Sequence, residues 1–202
     1  MAQTTTRRTR MTASARREQV LDATMEIVSK QGFQAVTIEA VAKTAGITRP
    51  IVYEHFGNLQ GLLQALVKRE MSQALEQVSE TALGDLAEGD PPALMLESLR
   101  TYLAAVKDHP RTWRLVLTPP QGAPALLRKR ILRGRREVLK SLTDAVSPGS
   151  LPGDLSEDPE LTARILSAMA DEYARLVLSD PKRFPPARLL EHARWWLGQM
   201  SG

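Results

Sequence analysis

Two threonines carry the first recognisable chemistry of this chain. Thr37 and Thr48 each stand just before a short apolar run. A hydroxyl and the unpaired backbone N–H groups of a helix start suit a phosphate at such positions. Upstream, Arg7, Arg8, Arg10, Arg16 and Arg17 make every formal charge in the first 17 residues positive. Arginines on a mobile arm contact backbone phosphates or enter a minor groove, so a polyanion fits this set. The same arm also reads as a tail kept solvated by its charge. Catalytic chemistry finds no comparable set. His55, His109 and His192 lie on separate segments without an acid at metal-ligand spacing. There is no cysteine, which excludes disulfides, thiolate zinc sites, iron–sulfur clusters and a thiol nucleophile. No Gly-rich phosphate loop, G-x-S-x-G elbow or H-E-x-x-H pair is present. These absences predict no enzyme, no metal and no cofactor.

The elements that must position the threonines are helices. Val20, Leu21, Thr24, Ile27 and Val28 recur on one helical face between residues 14 and 31, and Gly32 follows where a left-handed cap would end that helix. Ile38, Val41, Ala42 and Ala45 make a second, short amphipathic run with Thr37 as its N-cap, stopped by Gly46. Thr48 then caps a third run holding Ile51, Val52 and Phe56. Pro50 is tolerated there, since in a first turn its missing N–H would have had no partner. Two helices of about eight residues around a tight glycine turn form a helix-turn-helix, which lays one helix across the phosphate backbone and puts the next in the major groove.

The remainder is also helical, with loops marked by proline and glycine. Helices are predicted from Asn58 to about Ala82, from the break at Glu88–Pro92 to about Lys107, and over a short segment after His109. Others are predicted over about 124–146, 160–179 and 186–199, with the longest loop from Ser147 to Glu160. No internal repeat or heptad pattern is present. The reading is all-α, about nine helices: a flexible basic arm over 1–13, a three-helix DNA-binding head over 14–60, and a larger helical-bundle body over 61–202. The chain has 202 residues, 43% of them hydrophobic and 25% charged, with a formal charge of +4. That excess is too small to establish nucleic-acid binding by itself. No run reaches the roughly 18 apolar residues of a membrane span. Arg7 and Arg8 are not followed by an apolar stretch, so neither a secretory nor a twin-arginine signal fits, and a cytoplasmic, nucleoid-associated protein without membrane partners is expected.

The run from Gly32 to Thr48, with Thr37, Ala45-Gly46 and then Tyr53-Glu54-His55-Phe56-Gly57-Asn58, resembles the DNA-binding head of TetR-family regulators over about residues 14–63. The resemblance implies six further helices in a ligand-binding body. It implies that Thr37 caps the second helix and binds phosphate, that Thr48, Arg49, Pro50 and Ile51 begin the recognition helix, and that Tyr53 and His55 donate to phosphates. Arg49 is the best candidate for base readout, because a guanidinium pairs bidentately with guanine O6 and N7. Ile51 or the Pro50 ring suits a thymine methyl. Tyr53 also reads as core with a polar tip, and His55 as a helix C-cap. One departure is Leu59, where the family usually has a lysine. About one phosphate contact is lost with it.

A lone helix-turn-helix reads few bases, so a homodimer on a roughly palindromic duplex is expected. In the family the last two helices pair with their copies. Here Leu161, Ile165, Ala168 and Leu176 on the first, with Leu190 and Trp196 on the second, are the candidates; the alternative is that this face packs only within its own chain. For a small-molecule effector, whose identity the residues do not give, the candidate lining is Met95, Leu99, Tyr102, Trp113, Leu117, Met169 and Tyr173. The basic helix adds a puzzle. Lys129, Arg130, Arg133, Arg136 and Lys140 share a polar face, but Arg128 and Arg135 fall among Leu127, Ile131, Leu132, Val138, Leu139 and Leu142. Three readings stay open: a pair between either arginine and Glu172, snorkelling to water, or an anchor such as Arg135 for an anionic effector. The functional expectation is a sequence-specific transcriptional regulator, by resemblance a repressor released by a ligand. An effector-independent DNA-architectural protein is the alternative, and a helical small-molecule-processing enzyme a remoter one.

Overall fold

Local cap chemistry decides where the first helices begin and end. The computed structural model describes residues 11–79, 91–146 and 158–199. The basic arm through Arg10, the break at Glu88–Asp90 and most of the loop before Glu160 lie outside the described residues. Helix α1 spans Ala13–Gln31, and the Thr12 hydroxyl accepts from the Ala15 N–H at 3.2 Å. Gly32 ends it with φ 81° and ψ 176°. The φ is positive as predicted, but ψ is extended rather than left-handed helical because the chain turns at once into a 3₁₀ turn, Phe33–Ala35. Helix α2 spans Ile38–Ala45, with the Thr37 hydroxyl accepting from the Ala40 N–H at 3.0 Å. Gly46 closes it at φ 64°, ψ 36°, in the left-handed region that a glycine occupies without steric cost. Helix α3 spans Arg49–Phe56 and helix α4 Leu59–Ser79, where the Asn58 side chain accepts from the Gly61 N–H at 2.8 Å.

The residues divide into two units. The first runs through Leu66 and includes Pro120–Gly122; the second holds the rest of α4 and everything else described. In the first unit α1 packs on α2, and α2 on α3. Its apolar interior includes Val20, Val28, Phe33, Val41, Val52 and Leu62, each at most 5% exposed. Burying a side chain of this size is worth about 1.5–3 kcal/mol, so these few residues hold the unit together.

The second unit contains α5 (Pro91–Asp108), α6 (Pro110–Leu117), α7 (Ala125–Ala145), α8 (Pro159–Ser179) and α9 (Pro186–Gln199). Nine α-helices and no strand occur among the described residues. Helix α5 packs on α8 and α9, and α7 lies along α8. Leu103, Val106, Trp113, Tyr173, Ala174 and Val177 belong to its larger core cluster; Met95, Val146, Ala163 and Leu166 make a smaller one, and Met169 touches both. Among the described residues one charged side chain, Glu70, is buried, with partners on two sides. Glu70 is 2% exposed, accepts from Arg69 Nη2 at 2.8 Å, and accepts from the Thr112 hydroxyl at 2.6 Å. No described helix is long and apolar enough to cross a membrane.

Candidate DNA-binding site

The first unit displays the N-terminal part of α3 to solvent. Thr48, Arg49, Pro50 and Tyr53 are exposed, while Val52 and Phe56 anchor the opposite side of the helix. Thr48 is the N-cap residue, yet its hydroxyl makes no cap hydrogen bond and is left for another acceptor. The Arg49 guanidinium has no partner among the described residues. Ile51 and His55 are half-buried, and half of Tyr53 is exposed with its hydroxyl unpaired among the described residues. Thr37 is exposed at the start of α2, its oxygen accepting from Ala40 and its proton free to donate. The site therefore gathers hydroxyl donors, one unpaired guanidinium and a helix N-terminus on one small unit. Such a set has the chemistry to donate to phosphates at the helix starts and to pair a guanidinium with a base edge.

Three placements differ from the sequence expectations or extend them. Arg17 turns inward: its Nη1 donates to the His55 carbonyl at 2.9 Å and its guanidinium carbon sits 4.4 Å from the centre of the Phe56 ring. Arg16 donates to Gln19 Oε1 at 2.6 Å. Both arginines, expected among the DNA contacts, are engaged within the head, because the first turns of α1 lie against the ends of α2 and α3. Glu54, not singled out from sequence, is exposed one helical turn beyond Pro50 on the same side of α3. Its i+4 spacing from Pro50 was the available signal, and a carboxylate there can accept from cytosine N4. Leu59 is half-buried at the start of α4, where the family's usual lysine is missing.

In the second unit the structure corrects the proposed pairing. Neither Arg128 nor Arg135 meets Glu172. Arg135 Nη2 lies 3.0 Å from Asp171 Oδ2, and Arg128 donates to the Ala123 carbonyl at 2.6 Å. Glu172 is exposed and pairs with Arg175 at 3.1 Å on its own helix. The reason is that α8 has two apolar sides. Leu161, Ile165 and Ala168 share Glu172's side and are exposed, whereas Leu166, Tyr173 and Val177 face inward. Asp171 also approaches Arg175 at 3.6 Å and accepts from the Tyr102 hydroxyl at 3.3 Å. Burial first, then the Asp171 charge and hydrogen bond, push the Tyr102 phenol well above its ordinary value.

Of the candidate ligand-contacting residues, Leu99, Tyr102, Trp113, Leu117, Met169 and Tyr173 meet in the larger cluster, and Met95 lies in the smaller. Tyr102 and Trp113 stack edge to face at 5.0 Å, and Trp113 Nε1 donates to Gln77 at 2.9 Å. Arg135 reaches Tyr102 through their shared Asp171. Of the candidate dimer residues, Leu161 and Ile165 are 54% and 48% exposed. Leu176 and Leu190 pack in part on the larger cluster and Trp196 on the smaller. Trp195, passed over in the sequence, is 59% exposed. Among the described residues no group of three or more His, Asp or Glu side chains could hold a metal ion.

A three-helix head with an exposed helix-turn-helix, followed by an all-helical second unit, defines a DNA-binding transcriptional regulator. The family model described as bacterial regulatory proteins, tetR family, matches residues 20–66, the segment that carries this site. The fatty acid metabolism regulator protein of Bacillus subtilis is 26% identical over 168 residues, covering 81% of this chain and 84% of that protein. A TetR-like transcriptional regulator from Rhodococcus sp. RHA1 superposes with a TM-score of 0.73 at 23% identity, over 92% of this chain and 97% of the other. FadR from Bacillus subtilis in complex with stearoyl-CoA superposes with a TM-score of 0.64 at 19% identity, over 89% and 96%. Residues 20–66 thus carry a DNA-binding head of the tetR family of bacterial regulatory proteins.

Proposed function

We propose that this regulator is a cytoplasmic, homodimeric repressor that reads a two-fold symmetric operator with α3 and is released by a small molecule, acting by binding and not as an enzyme. The observation that carries base reading is the exposed N-terminal part of α3, where the Thr48 hydroxyl and the Arg49 guanidinium are left without internal partners. Thr37, Tyr53 and His55 serve as phosphate contacts that set the register of α3 on the duplex. Leu161, Ile165 and Ala168, joined by Trp195, supply the apolar surface for the second copy, with Leu176, Leu190 and Trp196 at its edge. The aromatic cluster around Tyr102 and Trp113 suits an apolar or amphipathic effector, in line with the stearoyl-CoA held by the Bacillus FadR structure, and Arg135 suits its anionic end. Such a ligand shifts the chain between two states only by its differential affinity for them.

Selection from a randomised duplex pool at about physiological salt tests this reading. The expected result is a two-fold symmetric site bound by two chains. Binding that tracks salt alone, with no enriched sequence, overturns it in favour of an effector-independent architectural protein.

A further inference from the structure

Helices α2 and α3 are eight residues each, so half the carbonyls of each have no partner inside their own helix. The turn backbone takes several of them. Gly46 N–H donates to Ala42 and Lys43, and at the end of α3 Gly57 N–H donates to Tyr53 at 2.8 Å and Asn58 N–H to Phe56 at 2.8 Å. Two carbonyls that the turns do not reach, Ala45 and His55, are taken by one stretch of α1. Gln19 Nε2 donates to Ala45 at 2.8 Å, and Arg17 Nη1 donates to His55 at 2.9 Å.

We propose that Arg17 is a positioning residue for base readout, fixing the attitude of the recognition helix instead of contacting phosphate, with Gln19 holding the end of α2 in the same way. This rests on the reading of α3 as the recognition helix. Within α3 only Val52 and Phe56 are buried. They lie one turn apart on one side, so apolar packing anchors the helix along a line and resists rolling about it poorly. The Arg17 contact supplies the missing restraint from a residue 38 positions away in sequence. It holds the C-terminal end of α3 by a charge-assisted hydrogen bond, adds a cation over the Phe56 ring, and complements the negative end of the helix dipole. Arg16 in turn donates to Gln19 Oε1, orienting the amide so that its N–H₂ faces Ala45. A lysine keeps the charge but has neither the planar fork nor the stacking face, so the two residues are not equivalent here. Base readout tolerates little misplacement, about 0.5 Å or 10–20° for a preorganised constellation.

The experiment compares wild type, Arg17→Lys, Arg17→Met and Gln19→Leu on the selected duplex and on a scrambled duplex across a salt series. Thermal melting and amide hydrogen exchange are followed on the free chains. Both Arg17 variants should lower the ratio of specific to non-specific affinity on the order of tenfold, as loss of a hydrogen bond to a charged group implies. The slope of log affinity against log salt should stay at its wild-type value, and the amides of α3 should exchange faster in the free chain. Gln19→Leu should show the same signature with exchange raised in α2. The proposal is overturned if Arg17→Lys binds like wild type while Arg17→Met loses about 0.9 from the slope, the mark of a phosphate contact. It is also overturned if both variants melt earlier yet keep the affinity ratio, the mark of a purely structural role. Should wild type select no duplex, the functional reading fails instead, and the exchange of α3 amides still decides whether Arg17 pins the helix.

Discussion

The head and the second unit spend their polar side chains in opposite ways. On the outward side of α3 the Thr48 hydroxyl and the Arg49 guanidinium have no internal partner. In the second unit the comparable groups are consumed internally: Glu70 by Arg69 and Thr112, Asp171 by Arg135, Arg175 and Tyr102, Trp113 by Gln77, and Tyr173 by the His192 ring at 2.7 Å. Unpaired donors on a rigid, exposed helix are a binding surface waiting for acceptors. Paired donors under a helical core specify one packing of that core. Removing a polar group should therefore cost stability in the second unit and DNA affinity in the head.

The largest effect should come from Glu70→Ala. It removes the buried carboxylate that Arg69 and the Thr112 hydroxyl share, at a cost of about 3–5 kcal/mol in a urea melt. A cost below about 1 kcal/mol would mean that water replaces the carboxylate. Next is Gly61→Ala in the head. A Cβ there would stand 2.2 Å from the Phe56 carbonyl oxygen, a backbone atom that cannot swing away. Helix propensity favours alanine by about 1 kcal/mol. The clash opposes it, so a net loss of about 1–3 kcal/mol is expected, together with weakened DNA binding as the end of α3 shifts. A more stable variant with unchanged binding would show that α3 and α4 move apart freely.

Smaller effects are expected from the Asp171 network, whose arginines are 46% and 36% exposed. A double-mutant cycle of Arg135→Ala with Asp171→Asn should give a coupling of at most about 1 kcal/mol. Zero coupling would reduce the pair to a surface coincidence. Tyr102→Phe should cost less than about 1 kcal/mol at neutral pH. Its signature is alkaline. The folded chain keeps the Tyr102 proton above the ordinary phenol value near 10, while the unfolded chain releases it. The stability held by the neutral phenol is thus complete below about pH 10 and is lost as pH rises beyond it. Wild type should lose stability above that pH more steeply than Tyr102→Phe; parallel curves would contradict the shift.

Why the head was readable in advance, and the second unit less so, follows from the range of the forces involved. Thr37 before Ile38, Gly46 after Ala45 and Asn58 before Leu59 act within four residues, so their roles show in the sequence as local turn chemistry. The choice between Asp171 and Glu172 is not local. The two differ by about 100° around α8, and apolar residues lie on both sides of that helix. Only packing against α7 and α5 decides that Leu166, Tyr173 and Val177 face inward and that Leu161, Ile165 and Glu172 do not. The inward turn of Arg17 is hidden from the sequence for a related reason. A basic residue near a helix-turn-helix looks like a phosphate contact, and nothing nearby in sequence announces a carbonyl 38 residues away. Trp195 and Trp196 are neighbours that sequence alone could not order, and the structure exposes the first more fully.

The central claim is that Arg49 reads a base through the exposed start of α3. The direct measurement is the affinity of wild type and Arg49→Ala for the selected duplex and for each of its single base-pair variants. Wild type should discriminate at one position in each half-site by about 1–3 kcal/mol, and Arg49→Ala should lose that preference while keeping those at the other positions. A uniform loss across all variants, with a shallower salt slope, would make Arg49 a phosphate contact and leave base readout to other residues of α3.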